Sequence, residues 1–293
     1  MKLPFSANLN FMQPDQILKL LEEYYIPDKG LVYFKGCEQP ETEATVWACV
    51  AASSDLEKYP FLLKSLKWLE TMQNADGSVK VNPVCAGQAI WCAAQFAILM
   101  DIVGKKEKCK AARNFIISQR SEVFDENPYA EQDNSIVGWS WTHGSFSWVE
   151  PTAWALICLR NSEFRDTERY KDGVRLLKNR MIPDKGWNYG NKNVYSTDLI
   201  PFIDTTSLAL LALHNEIEVE NVRNILENLA ENSLKTESLY ALALAIISLE
   251  KFGTANEMQK IKLSEELDKV DLNYMNSLHL SFACLALEGR NLF

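Results

Sequence analysis

Six times along this chain an amphipathic segment is followed by a turn and then by a helix-length run that is apolar nearly all round. The first amphipathic segment carries Ile17, Leu20, Leu21 and Tyr24 on one face. A later one carries Tyr170, Val174, Leu177 and Met181 at the same helical spacing. Each runs into the same pentapeptide, Ile26-Pro27-Asp28-Lys29-Gly30 and Ile182-Pro183-Asp184-Lys185-Gly186. Pro and Asp start a turn there, and Gly takes a backbone conformation that other residues resist. A degenerate copy has Leu62, Leu66 and Leu69 before Gln73-Asn74-Ala75-Asp76-Gly77-Ser78. Val222, Ile225 and Leu229, and then residues 255–268, supply the later amphipathic partners.

The apolar runs align as Glu43-Ala-Thr45-Val-Trp47, Gly87-Gln-Ala89-Ile-Trp91, Glu150-Pro-Thr152-Ala-Trp154 and Asp204-Thr-Thr206-Ser-Leu208. Weaker copies are Thr236-Glu-Ser238-Leu-Tyr240 and Met275-Asn-Ser277-Leu-His279. A helix apolar on all sides must be covered on all sides, whereas one apolar on a single face can lie outside it. Six such pairs predict an all-α fold of two concentric rings, an (α/α)6 barrel. An open solenoid also buries repeats, but the terminal units show no strongly polar capping helix.

Length and composition agree. The 293 residues suffice for one large domain or two ordinary ones. The repeats make them one, residues 1–293, with a polar insertion at 121–137 that reads as a surface loop or, less simply, a lid. Glycine (12) and proline (10) are too scarce for the frequent turns of a β-sandwich or barrel. The net charge of -9 and the lack of a basic stripe argue against nucleic acid. No apolar stretch is long enough to span a membrane, and the first residues carry no secretory h-region. Cys49, Cys92, Cys158 and Cys284 sit inside apolar runs and read as buried reduced thiols. The expectation is a cytoplasmic protein. No zinc-type spacing is present, and no metal or cofactor is expected; the oligomeric state is open.

Several segments resemble the glutamine–tryptophan repeats of squalene and oxidosqualene cyclases. They are AARNFIISQ (111–119), SLKWLETMQNADGSVK and LLKNRMIPDKGWNYG, in which Gln73, Gly77, Gln119 and Gly186-Trp187 fit the pattern. Val79 replaces a Trp, and Arg180 stands near a Gln position. The stretch from Gly138 to Leu156, with Trp139, Trp141, Trp148 and Trp154, resembles the wider prenyltransferase and squalene-cyclase repeat superfamily. That resemblance implies an (α/α)6 toroid over nearly the whole chain. It also implies a class II cyclase motif at Phe202-Ile203-Asp204-Thr205-Thr206-Ser207, where Asp204 matches the proton-donating aspartate and the flanking acids are missing. The zinc site of protein prenyltransferases has no counterpart among His143, His214 and His279.

An alkene is a poor base, so its acid needs a dry, preorganised site. A carbocation needs walls that attract charge without attacking it, and aromatic faces do that. Asp204 is therefore the candidate acid and Glu150 a second carboxylate. Trp47, Trp91 and Trp154 share one repeat position, which Tyr240 and His279 take in two more copies. Trp139, Trp141, Trp148, Trp187 and Tyr189 lie in turns at one rim; His143 sits in a Thr-His-Gly turn beside the tryptophans, and Phe202 precedes Asp204 in the motif. All but His279 are candidate contacts for an apolar, isoprenoid-like substrate. Plainer roles exist for each: Asp204 and Glu150 suit helix starts, and tryptophans pack helices together. Two other functions fit the same residues. One is a carbohydrate enzyme using a pair from Glu43, Glu150 and Asp204 with aromatic sugar platforms. The other is a non-catalytic toroid that binds a ligand or partner in its mouth.

Overall fold

A computed structural model describes residues 11–85, 88–123 and 131–290. Among these, helices alternate between an outer and an inner position. The outer set is α1 (Pro14–Leu20), α3 (Pro60–Thr71), α5 (Lys106–Ser118), α7 (Glu168–Arg180), α9 (Arg223–Ser233) and α11 (Glu257–Lys269). The inner set is α2 (Thr42–Ala51), α4 (Ile90–Ile102), α6 (Val149–Leu159), α8 (Ile203–Leu213), α10 (Leu239–Lys251) and α12 (Ser277–Glu288). The amphipathic and all-apolar runs of the sequence fall on these two sets respectively. In α2 every residue except Glu43 is buried, whereas α7 buries one face only.

The inner helices form a closed ring. Each packs on the next, and α12 returns to pack on α2. Alanines along the inner helices let their backbones come close. Hydrogen bonds fasten the closure: Ser277 donates its hydroxyl to Val32 O (2.7 Å) and its N–H to Tyr33 O (2.9 Å). Tyr24 donates to Met275 O at 3.0 Å, and Arg290 donates to the carbonyls of Val50 and Ala51 at the end of α2.

A joint repeated three times explains the glycines before the inner helices. Leu31, Trp139 and Trp187 donate their N–H groups to the hydroxyls of Thr45, Thr152 and Thr206 at 2.8, 2.8 and 3.0 Å. The residue before each is Gly30, Gly138 or Gly186, and a Cβ there would lie 2.3 to 2.5 Å from the same hydroxyl. Glycine is required at Gly30 by close approach and not by its backbone angle. In both Pro-Asp-Lys-Gly turns the aspartate, Asp28 (φ 58°) or Asp184 (φ 61°), takes the left-handed conformation, which Asp tolerates better than most residues. Gly186 is also left-handed, at φ 123°.

The expected insertion 121–137 is partly outside the described residues, at 124–130. Its remainder is irregular and docks across the turn that follows α7: Glu131 N–H donates to Asn193 Oδ1 (2.8 Å) and Gln132 Nε2 to Asn191 Oδ1 (2.6 Å). The same turn carries the two-stranded hairpin β1 (Asn193–Val194) and β2 (Thr197–Asp198). No helix among the described residues is long and apolar enough to cross a membrane.

Candidate active site

The N-terminal ends of the inner helices open on one mouth, and two residue positions on each helix build it. The second residue of α2, α4, α6, α8 and α10 is Glu43, Trp91, Glu150, Asp204 and Tyr240. One turn deeper stand Trp47, Gln95, Trp154, Leu208, Leu244 and, on α12, Phe282, all within 1% of full burial. The deeper layer is a floor. Trp47 lies 5.1 Å from Trp154 and 4.4 Å from Phe282, ring centre to ring centre.

The helix starts correct the alignment of the tryptophans. Trp47 and Trp154 share the deeper position, but Trp91 and Tyr240 stand one turn higher, beside the acids, and His279 stands just above Phe282. In α4 the cause is local. Gln88 and Ala89 are held extended by bridges to Lys80 and Thr142, so the helix begins only at Ile90. In α10 Ser238 caps the helix through the Ala241 N–H, and in α12 Asn276 caps through Leu278 N–H.

Three carboxyl groups therefore share one helical position around half the mouth. Glu43 accepts from Tyr33 Oη at 2.6 Å and from Gln95 Nε2 at 2.8 Å. Burial raises its pKa, and those two donors pull it back. Glu150 is lifted to about 8, first by burial and then by the negative charges of Glu43 and Asp204, while the Trp154 indole opposes the rise. Burial also raises Asp204, but the backbone N–H groups of Thr205 and of Asp204 itself stabilise its anion. The Thr205 N–H donates to its Oδ1 at 2.8 Å. Asp204 thus both ties down its helix start and borders a cavity of about 490 Å³ that includes Phe202 and Ser238. All three acids keep partial solvent access and are not sealed in the core. Tyr240, its pKa pushed far up by burial and then by Glu150, Glu43 and Asp204, stacks on His279 at 5.6 Å. Among the described residues no three His, Cys, Asp or Glu side chains converge closely enough to hold a metal ion.

Aromatic pairs stand over the starts of three adjacent inner helices. Trp91 meets Trp141 edge-on at 6.1 Å above α4. Phe146 stacks on Trp148 at 4.8 Å above α6, and Tyr189 on Phe202 at 4.6 Å above α8. Tyr189 and Phe202 are about 40% exposed, which makes them available to a ligand. Trp139 and Trp187 do not belong to this rim. Both are fully buried wedges between the rings, with indole N–H groups on outer-helix carbonyls, Trp139 on Ile116 O (2.8 Å) and Trp187 on Leu177 O (2.7 Å). His143 is exposed in a turn. Sequence reasoning left Tyr33 and Gln95 out of the site. Gln95 had a signal, a lone amide inside an otherwise apolar helix.

No protein-family model matches the sequence, and no curated protein matches it. Solved structures do. The fold is similar to an α-amylase from Clostridium perfringens, with a TM-score of 0.68 at 10% identity over 98% of this chain and 99% of that one. It is similar to Rex8A from Paenibacillus barcinonensis, solved in complex with xylose, with a TM-score of 0.57 at 13% identity over 95% and 94%. It is also similar to part of a Salmonella α-2-macroglobulin, with a TM-score of 0.53 at 12% identity over 94% of this chain and 17% of that one. The chain is an (α/α)6 toroid. At these identities the likeness shows the fold alone. The toroid implied by the cyclase resemblance is borne out, while a kinship with squalene cyclases in particular gains no support from these structures.

Proposed function

We propose that this toroid is a carbohydrate-active enzyme that hydrolyses glycosidic bonds in its mouth. The observation that carries this reading is the set of acids at one helical level, Glu43, Glu150 and Asp204, all raised by burial, Glu150 to about 8, with hydrogen-bond donors opposing the rise at Glu43 and Asp204. Glycoside hydrolysis needs one protonated and one ionised carboxyl across the scissile bond. Glu150, with its pKa near 8, keeps a proton at neutral pH and serves as the general acid. Asp204, whose anion is held by backbone N–H groups, serves as the ionised partner. Glu43, fixed by Tyr33 and Gln95, maintains the negative field that keeps Glu150 protonated. The aromatic pairs over α4, α6 and α8 offer flat apolar faces to sugar rings. The α-amylase and xylose-bound likenesses favour the same substrate class.

Protonation of an isoprenoid by Asp204, the first expectation from the sequence, is less well supported. It asks for one acid in a dry apolar chamber, and Asp204 instead shares a solvent-accessible mouth with two further carboxyls. A non-catalytic toroid that binds a ligand or partner in its mouth is the contrast to be tested.

The experiment is release of reducing ends from a panel of α- and β-glucans, xylans and mixed heteroglycans, with wild type, Glu150→Gln and Asp204→Asn. Hydrolysis by wild type alone supports the proposal. Equal release by all three proteins, or none from any glycan, overturns it.

A further inference from the structure

A cavity of about 390 Å³ opens beside α6, between residues 131–137 and the loop 188–199. It shares a wall with the mouth. Trp148, two residues before Glu150, and Tyr189 both line it. Val149 N–H fastens this wall to Tyr189 O at 2.9 Å. Gly190 keeps the wall open, because a Cβ there would sit 3.3 Å from the Trp148 ring.

The rest of the lining mixes apolar side chains, Ile136, Phe146 and Leu199, with polar ones. Gln132, Asn134, Asn188 and Asn191 present amides. Arg180, from the end of α7, is the cation and is only 5% exposed. It donates to Asp133 O at 3.2 Å, to Asn179 Oδ1 and to Asn134 Oδ1 at 3.5 Å. Carbonyl and amide oxygens are therefore its hydrogen-bond partners; among the described residues no carboxylate forms an ion pair with it, and the nearby Asp133 carboxylate acts on it by charge alone. Glu122, the acid on the lining, is not among its hydrogen-bond partners. The other buried arginines differ: Arg160 caps the carbonyls at the end of α8, and Arg169 lies over the Trp139 ring. A desolvated guanidinium facing a cavity ringed by amides complements a carboxylate on a polyhydroxylated ligand.

We propose that this cavity is a subsite for an acidic sugar, with the carboxylate of a uronic acid unit received by Arg180 and its ring against Trp148 and Tyr189. The proposal rests on the reading of the mouth as carbohydrate-active and names the substrate class: a heteroglycan in which uronic acid units alternate with neutral ones. The ionised Asp204 and the negative field of Glu43 repel a uronate at the scissile position, and the side cavity places the anion away from them, at the buried cation.

The test is calorimetric titration of the full chain with glucuronosyl-xylose and with its carboxyl-reduced counterpart, glucosyl-xylose. Wild type is expected to bind the acidic disaccharide at least tenfold more tightly. Arg180→Gln is expected to abolish that preference. Asn191→Asp serves where Arg180→Gln fails to fold. It keeps an acceptor for Gln132 while adding a negative charge to the lining, and it too is expected to abolish the preference. Glu150→Gln is expected to retain it. Equal binding of the two disaccharides by wild type, or a preference that survives both cavity variants or disappears in Glu150→Gln, overturns the subsite. The two readings fail separately. An acid preference without hydrolysis of any glycan sinks the enzyme and leaves the subsite, while hydrolysis without an acid preference does the reverse.

Discussion

Glu150 and Asp204 stand at the same position, the second residue, of neighbouring inner helices, and the charge of Asp204 helps hold the proton on Glu150. Helix starts ordinarily favour carboxylate anions. Here burial and like charge outweigh that preference for Glu150, while Asp204 keeps two backbone N–H partners. One repeated position thus yields two carboxyls of different character, because neighbours differ where the backbone does not.

The pH profile of kcat/KM is expected to follow from this. Activity falls as pH rises through about 8, where Glu150 loses its proton. The acid limb belongs to Asp204 and lies above the ordinary aspartate range. Glu43→Gln removes one of the charges that raise Glu150, so the alkaline limb moves to lower pH. An alkaline limb unmoved by Glu43→Gln shows that the two acids are not coupled.

Glu150→Gln is expected to cut hydrolysis by roughly 10²- to 10⁴-fold, the usual worth of a general acid, with an unchanged circular dichroism spectrum. Its stability should respond to pH in the opposite sense to a salt-bridged acid. The folded pKa lies near 8 against 4.5 for an ordinary glutamate. The group's favourable contribution is therefore complete below about pH 4.5 and is lost as pH rises through 8. Glutamine has no such dependence, so the variant's Tm relative to wild type rises by a few degrees between pH 5 and 9. A Tm difference independent of pH contradicts the buried, protonated state of Glu150.

Much of this was legible in the sequence, and what was not has physical causes. The two helix types and their closure follow from all-round against one-sided apolarity, a pattern of long period that turn details do not disturb. The site depends on where each inner helix begins, which a single extended or capping residue decides. Ser238 and Asn276 are good caps and mark the starts of α10 and α12 as they stand. The start of α4 is fixed by bridges from Gln88 to Lys80 and from Ala89 to Thr142, partners 8 and 53 residues away that no local pattern reveals. An error of one turn at Trp91 moved it from the acid level to the floor. The wedge role of Trp139 and Trp187 was hidden for a similar reason, since their indole N–H partners lie on outer helices.

The rim aromatics are expected to act on binding more than on turnover. Trp148→Ala and Tyr189→Ala each remove one face of a stacked pair that stands at the mouth. An aromatic contact of about 0.5–1.5 kcal/mol corresponds to a KM for oligosaccharides raised about two- to tenfold, with kcat little changed. A matching loss in kcat, with KM fixed, assigns these rings to the chemical step instead.

Trp187 is expected to behave in the opposite way. It is fully buried, its indole N–H donates to Leu177 O at 2.7 Å, and its own backbone N–H donates to Thr206 Oγ1 at 3.0 Å. Trp187→Phe keeps most of the ring volume but leaves a buried carbonyl unpaired, at a cost of about 1–3 kcal/mol. Trp187→Ala adds a cavity and costs about 3–5 kcal/mol. Urea unfolding reads both losses. The fraction that stays folded should retain wild-type KM and pH profile, because Trp187 reaches the mouth only through the joint that starts α8. A raised KM in well-folded Trp187→Phe would place this ring at the substrate after all.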